Sequence, residues 1–277
     1  MRRSLRGCNV IVTGASRGIG RNIAVLMAQL GANVVLIARS PNELNKVCDE
    51  IRAKGGNAFA IQADLTKESD RVHLINQSIA YLGGIDILVN NAGVTAFGEF
   101  NDSNEELLRR IMEINFFAPF ELIRLAIPHL ERSTKKPAVV NIASLCGRCG
   151  IPSFPEHCSA KFALVGLTES LRGELVRFGI DILLVIPGMV RIDDPDKHLI
   201  RNQGKIFVDW ANAQTPEKVA KGIVRAIRWN WTESVVGWTA LQIHRGNRIF
   251  PWLIDYFLKR KVKKFALRAT RDKKKSI

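Results

Sequence analysis

Thr13-Gly14-Ala15-Ser16-Arg17-Gly18-Ile19-Gly20 decides how this chain reads. The stretch falls where a short apolar run, Cys8 to Thr13, gives way to helical periodicity over 19–30. Glycines without a Cβ let backbone approach a pyrophosphate closely, and the free N–H groups at a helix N-terminus favour its negative charge. A glycine triplet alone is a weak signal. Here a strand precedes it and a helix follows, which is the setting in which it cradles phosphate.

The same alternation continues outward from that loop. Strand-sized runs recur at Asn33 to Ala38, Asn57 to Gln62, Asp86 to Asn90, Ala138 to Ala143 and Asp181 to Ile186. They are nearly continuous Val, Ile and Leu, as in strands buried on both faces of a parallel sheet. Helical patterns separate them over 42–54, 67–82, 103–131 and 155–178, with a further helix near 216–229 and a strand near Ser234 to Gly237. The β-α-β-α order predicts an α/β fold with a doubly wound parallel sheet and right-handed crossovers. Residues 191–213 are polar and irregular and are expected to form a mobile loop over a site. No solenoid-period repeat and no Pro/Gly/Ser linker occurs. The expected division is therefore 1–240 as one nucleotide-binding and catalytic domain, and 241–277 as a basic amphipathic extension.

Composition excludes other classes. With 277 residues, 47% hydrophobic and 24% charged, the chain can bury one large core and is neither disordered nor collagenous. No apolar stretch approaches the ~18 residues of a membrane span. Met1 to Gly7 is too short a lead for a secretory signal, and five cysteines favour a reduced, cytoplasmic setting. Net charge is +15, of which residues 257–277, with ten basic side chains and one acid, carry +9. No readout motif for specific nucleic-acid recognition accompanies that charge.

The glycine spacing, G-x-x-x-G-x-G, together with Asn90-Asn91-Ala92-Gly93 at the end of the fourth strand, resembles the short-chain dehydrogenase/reductase family over about residues 7–240. Asp64-Leu65, Asn115, Ser144, Lys161 and Pro187-Gly188 match further family positions. The resemblance implies a Rossmann-like fold, a homodimer or homotetramer, and a small-molecule carbonyl or alcohol substrate. It implies cofactor binding by Gly14, Ser16, Arg17, Gly18, Ile19 and Gly20 of the loop, and by Asn91, Ala92 and Gly93. Asp64 and Leu65 fall at the adenine, and Pro187, Gly188 and Val190 at the nicotinamide. Lys161 falls at the nicotinamide ribose. The second strand ends Ile37-Ala38-Arg39-Ser40, with no acid to repel a 2′-phosphate. Arg39 offers a planar fork to that phosphate and Arg17 can assist, so NADP(H) is expected over NAD(H).

The chain departs from the family where the chemistry lies. The family places a Tyr four residues before the Lys; here that position, thirteen after Ser144, is His157, and the two tyrosines, Tyr81 and Tyr256, do not fit by spacing. The implied catalytic set is Asn115, Ser144, His157 and Lys161. Imidazole can serve as acid or base. A Lys charge at ~5 Å in an effective dielectric near ~20 lowers its pKa by about two units, to ~4.5, which favours the base role. A Thr usually follows Pro-Gly to hold the carboxamide. Here the run is Met189-Val190-Arg191-Ile192, and Ile192 cannot hydrogen-bond. Two readings follow: an NADP(H)-dependent oxidoreductase, or a pseudoenzyme that binds the cofactor as sensor or scaffold.

Cys146-Gly147-Arg148-Cys149 and His157-Cys158 contain ligands that zinc accepts, but neither motif has its usual context, so no metal site is expected. His73, His129, His198 and His244 show no partner pattern. In the tail, Phe250, Leu253, Ile254, Phe257, Leu258, Val262 and Phe265 recur at three- and four-residue spacing after Pro251, with Lys259, Arg260, Lys263 and Lys264 on the other side. Such a helix either docks on the body or a partner copy, or lies on an anionic membrane surface, where a lipid-like substrate would suit it.

Overall fold

A computed structural model describes residues 2–191, 213–260 and 262–263. Ile192, His198 and nearly all of the expected loop over 191–213 lie outside the described residues, as does the chain beyond residue 263.

The strands are β1 (Asn9–Thr13), β2 (Asn33–Ala38), β3 (Asn57–Gln62), β4 (Ile87–Asn90), β5 (Ala138–Ile142), β6 (Asp181–Pro187) and β7 (Glu233–Val236). They form one parallel sheet in the order β3-β2-β1-β4-β5-β6-β7. Side chains of a strand alternate between faces, and here both faces are apolar. Val10, Val12, Val34 and Leu36 join one core and Ile11, Val35 and Ile37 the other. The helices α1 (Gly18–Gln29), α2 (Pro41–Ala53) and α7 (Pro216–Trp229) cover the first face. The second face is covered by α3 (Glu68–Leu82), α5 (Ala118–Leu130) and α6 (Pro155–Glu174). Each fully buried Val, Leu or Ile stabilises the fold by about 1.5–3 kcal/mol, so this double burial is the main driving term. The doubly wound sheet inferred from the sequence is the one observed, and β7 closes it beside β6.

The long helix expected over 103–131 is broken. Asn104 caps α4 (Glu105–Met112) by accepting from Leu107 N–H at 2.8 Å. A π-helical turn, Glu113–Phe117, then carries the chain into α5. A π-turn holds one extra residue per turn, and apolar spacing does not record where that residue sits. Arg71 pins the turn from α3, with its guanidinium 3.0 Å from Glu113 and 2.7 Å from the Leu65 carbonyl.

After β7 the chain turns at Gly237 (φ 115) into α8 (Trp238–Ile249), which spans residue 240, so the expected domain division falls inside a helix. A further helix, α9 (251–260), folds back on α8, with Ile254 against Gly246. Among the described residues no helix is long and apolar enough to cross a membrane.

Arg3 ties the first residues to the base of the sheet. Its side chain is buried and donates to Lys136 O at 2.9 Å, Ile227 O at 2.8 Å and the Asp181 carboxylate at 2.7 Å. Asp181 is half-exposed and stays hydrated, so the two orphaned carbonyls dominate the cost of losing the guanidinium. Arg3→Met is expected to lower unfolding free energy by about 2 kcal/mol in chemical denaturation. An unchanged midpoint would show that the anchor is energetically idle.

Candidate active site

The strand order reverses between β1 and β4, which opens a crevice at their carboxyl ends. Thr13, the last residue of β1, locks the two ends together. Its hydroxyl donates to Val89 O at 3.3 Å and accepts from the N–H groups of Asn91 and Ala92 at 3.0 Å each, while Asn91 Nδ2 donates to Thr13 O at 2.8 Å. Gly14 has φ +66°, and a Cβ there would lie 2.9 Å from Ala92 Cα. A Cβ on Gly20 would lie 2.2 Å from Gly14 O. Both glycines are therefore demanded by close backbone approach. Gly18 (φ +55°) differs, because nothing lies within 4 Å of where its Cβ would be. A cleft of about 330 Å³ adjoins it, lined by Arg17, Gly18, Arg21 and Asn22 on one side and Thr215 to Glu217 on the other. Ser16 and Ile19 are half-buried in the loop, and Arg17 is exposed at the start of α1.

At the end of β2, Arg39 and Ser40 are exposed, and Gln62 Nε2 donates to Arg39 O at 3.2 Å. Leu65 is buried. Partial burial raises the Asp64 carboxyl, but hydrogen bonds from Thr66 and the charges of Arg39 and Lys67 outweigh it and leave the group below its ordinary value. Asp64 and Arg39 are thus electrostatic neighbours.

Asn115, His157 and Lys161 come together beside Gly93. The π-turn directs Asn115 inward, where Oδ1 accepts from Val94 N–H and Nδ2 donates to Val94 O, both at 2.8 Å. A Cβ on Gly93 would lie 3.1 Å from Asn115 Oδ1 and 3.8 Å from Lys161 Nζ, so a side chain there would fill the site. His157 and Lys161 share one face of α6 at i, i+4 and both are buried. The contacts of the His157 ring gather at Nδ1: Thr95 Oγ1 at 3.3 Å, Val94 O at 3.3 Å and Asn115 Nδ2 at 3.4 Å. Burial pushes the imidazole down to about 3, with the Lys161 charge second and the Val94 carbonyl opposing. The i, i+4 spacing alone puts Lys161 first and the value near ~4.5; desolvation is the larger cause because the ring is enclosed. Burial also lowers Lys161, to about 8, while its Nζ donates to Ile142 O at 2.9 Å.

Ser144 stands on a different loop, just past β5, and caps the short turn Leu145–Gly147 by accepting from Cys146 N–H at 3.2 Å. No direct hydrogen bond joins it to His157 among the described residues. Pro187 ends β6, and Gly188 donates its N–H to Val236 O at 3.0 Å and packs on Ala240. Of the backbone groups near Val190, the Met189 carbonyl already accepts from Gln214 N–H at 2.9 Å. Cys158 points away from His157, towards Cys146, whose hydrogen bond lowers it to about 7 against the opposing effect of burial.

Sequence reasoning missed Thr13, Val94 and Thr95. Thr13 carries no sequence signal beyond its place at the head of the loop, and the Val94 contacts are backbone contacts that no residue type announces. His244 also has a partner, with Nε2 3.4 Å from Glu233.

A doubly wound parallel sheet with a glycine cradle at its switch point defines a nucleotide-binding α/β protein. The short chain dehydrogenase family model matches residues 8–201, and the chain belongs to that family. It is 36% identical over 234 residues to a ketoacyl reductase of Nostoc sp., covering 84% of this chain and 79% of that protein. It is 33% identical over 269 residues to YxnA, an uncharacterized oxidoreductase of Bacillus subtilis, covering 93% and 73%. A metagenomic short-chain oxidoreductase solved in complex with NADP superposes with a TM-score of 0.70 at 31% identity, over 84% of this chain and 98% of that one. A Burkholderia phymatum short-chain dehydrogenase/reductase solved with NAD superposes at 0.80 and 23% identity, over 90% and 96%, and supports the fold.

The His157 environment sets a pH dependence. A histidine held near 3 when folded and near 6.5 when unfolded contributes stability fully above pH 6.5 and loses it as pH falls towards 3. The unfolded chain binds the extra proton in that window, so the slope is up to about 1.4 kcal/mol per pH unit. His129 and His244 are lowered too, which makes the difference between the native protein and His157→Gln the decisive quantity. His157→Gln is expected to flatten the acid limb of stability against pH; parallel curves would mean that His157 is not held neutral.

Proposed function

We propose that this protein is an NADP(H)-dependent oxidoreductase that moves hydride between the nicotinamide and a carbonyl or secondary alcohol. The observation that carries the reading is the buried Asn115–His157–Lys161 cluster beside the glycine cradle. The cradle fits a dinucleotide: the space over Gly18 is open, the α1 N-terminus adjoins it, and Arg17 borders the cleft. When bound, the cofactor supplies or accepts the hydride. Gly14, Ser16, Gly18, Ile19 and Gly20 hold its pyrophosphate, Asp64 and Leu65 its adenine, and Asn91, Ala92, Gly93, Pro187, Gly188 and Val190 its nicotinamide half.

In alcohol oxidation, Ser144 steadies the substrate oxygen, and neutral His157 accepts the hydroxyl proton at Nε2. The Val94 carbonyl fixes the ring by accepting from Nδ1–H, and Asn115 supports a relay water. Lys161 holds the ribose and, as a cation, favours proton departure from the alcohol. Exposed Phe117 at the end of the π-turn, Phe120 on α5 and Phe162 on α6 support a second copy of the chain as partner. The pseudoenzyme reading draws on the same imidazole: a group lowered to about 3 is almost never the imidazolium at neutral pH, so the strong acid for carbonyl reduction is absent.

Turnover separates the two. His157→Ala is expected to cost about 10²–10⁴-fold in alcohol oxidation with cofactor affinity retained, and His157→Tyr to raise carbonyl reduction, because Lys161 strengthens a phenol as an acid. Absent native turnover with intact binding would make the protein a pseudoenzyme, whereas activity indifferent to His157→Ala would remove this residue from the chemistry. For the cofactor, Arg39 and Arg17 meet a 2′-phosphate. NADPH is expected to bind about tenfold to a hundredfold more tightly than NADH, and Arg39→Asp to erase the gap. Equal affinities in the native protein would end that assignment.

A further inference from the structure

The α9 helix is apolar on two sides, and among the described residues only one side has a partner. Leu253, Ile254 and Leu258 are half-buried, and Ile254 rests on Gly246 of α8. On the outer side Trp252, Tyr256 and Phe257 are 68%, 55% and 55% exposed, and Ile249 (66%) and Phe250 (50%) continue the patch around the corner from α8. Tyr256 and Phe257 meet edge-on with ring centroids 5.8 Å apart. The outer stripe runs from Trp252 and Tyr256 into Lys259, Arg260 and Lys263, all exposed. The single acid of this helix, Asp255, is taken up by Lys259 at 2.6 Å.

We propose that residues 249–260 form a docking surface for an anionic lipid bilayer, with the aromatic rings at headgroup level and the lysines and arginines on lipid phosphates. Trp, Tyr and Phe beside long cationic side chains match that boundary, because rings carry an apolar body to the acyl edge while Lys and Arg reach back to the headgroups. Two observations favour a bilayer over other occupants. Residues 257–277 carry +9, so a symmetric contact between two copies would bring two such charges together. Nucleic acid would take the cations but gives Ile249 nothing to bury. The surface also adjoins the site proposed above: Asn247 Nδ2 donates to Arg148 O at 2.8 Å, and Asp255 acts on the Cys149 thiol, so the α8–α9 hairpin packs on the turn that follows Ser144.

The test is co-sedimentation of the full chain with phosphatidylcholine vesicles containing about a quarter phosphatidylglycerol, against pure phosphatidylcholine. The anionic vesicles are expected to bind at least about tenfold more protein at 0.1 M salt, with most of it released at 0.5 M as charge attraction is screened. The double variant Trp252→Ser, Phe257→Ser is expected to reduce partitioning by about tenfold or more. Lys259→Glu with Arg260→Glu should do the same, and nicotinamide-cofactor binding, measured by fluorescence, should report an intact fold in both. Loss of cofactor binding in the native protein would fault the site and leave this readout standing. The proposal fails if anionic and neutral vesicles bind alike, or if the serine variant binds as the native protein does. It also fails if light scattering shows a dimer that the serine variant dissolves, since a second copy would then cover the patch.

Discussion

Everything near the candidate site depends on how closely the ends of β1 and β4 approach. Thr13 and Asn91 bond each other through main chain and side chain, and Gly14 packs its Cα against Ala92 with no room for a methyl group. That contact sets the position of the α1 N-terminus, because Gly20 is pressed on the Gly14 carbonyl. It also sets where Gly93 leaves β4, and with it the wall that Asn115 and Lys161 share. The proposed cradle for phosphate and the proposed pocket for proton transfer are thus two sides of one tight crossing.

The parallel sheet was legible because its physics is local and repetitive. Runs such as Val34 to Ile37 can be buried on both faces only between two helical layers, and the glycine loop fixed which strand end matters. The β7 edge was legible for the same reason. The break at Glu113–Phe117 was not, since a π-turn keeps residues apolar at near-helical spacing and shows itself only in hydrogen bonds. His157 was found by counting from Ser144 and Lys161. Its charge state was only half legible: the i, i+4 Lys can be read from spacing, but the depth of burial that dominates depends on Thr95, Val94 and the π-turn, which are remote in sequence. In the tail, the three- and four-residue rhythm promised one apolar face. The structure has two, because Trp252 and Tyr256 sit opposite the stripe that packs on α8.

The chemistry of the cluster follows from an asymmetry between its two nitrogen bases. Both lose water on burial, and both are lowered, yet Lys161 at about 8 stays largely protonated at neutral pH while His157 at about 3 does not. A neutral imidazole beside a cation holds no acidic proton to give, and the same burial and charge that keep it neutral also weaken it as a base.

The π-turn gives the α4–α5 rod a second property. A π-turn winds its extra residue into one wider turn, so deleting a single residue from 113–117 would let the rod relax into one continuous helix with α5 held at nearly its present phase relative to α4. Asn115 would lose the bulged position from which it meets Val94, while Phe120 on α5 would keep its outward phase. One extra residue thus shapes the interior of the pocket while leaving the outer face of the molecule as a regular helix would present it.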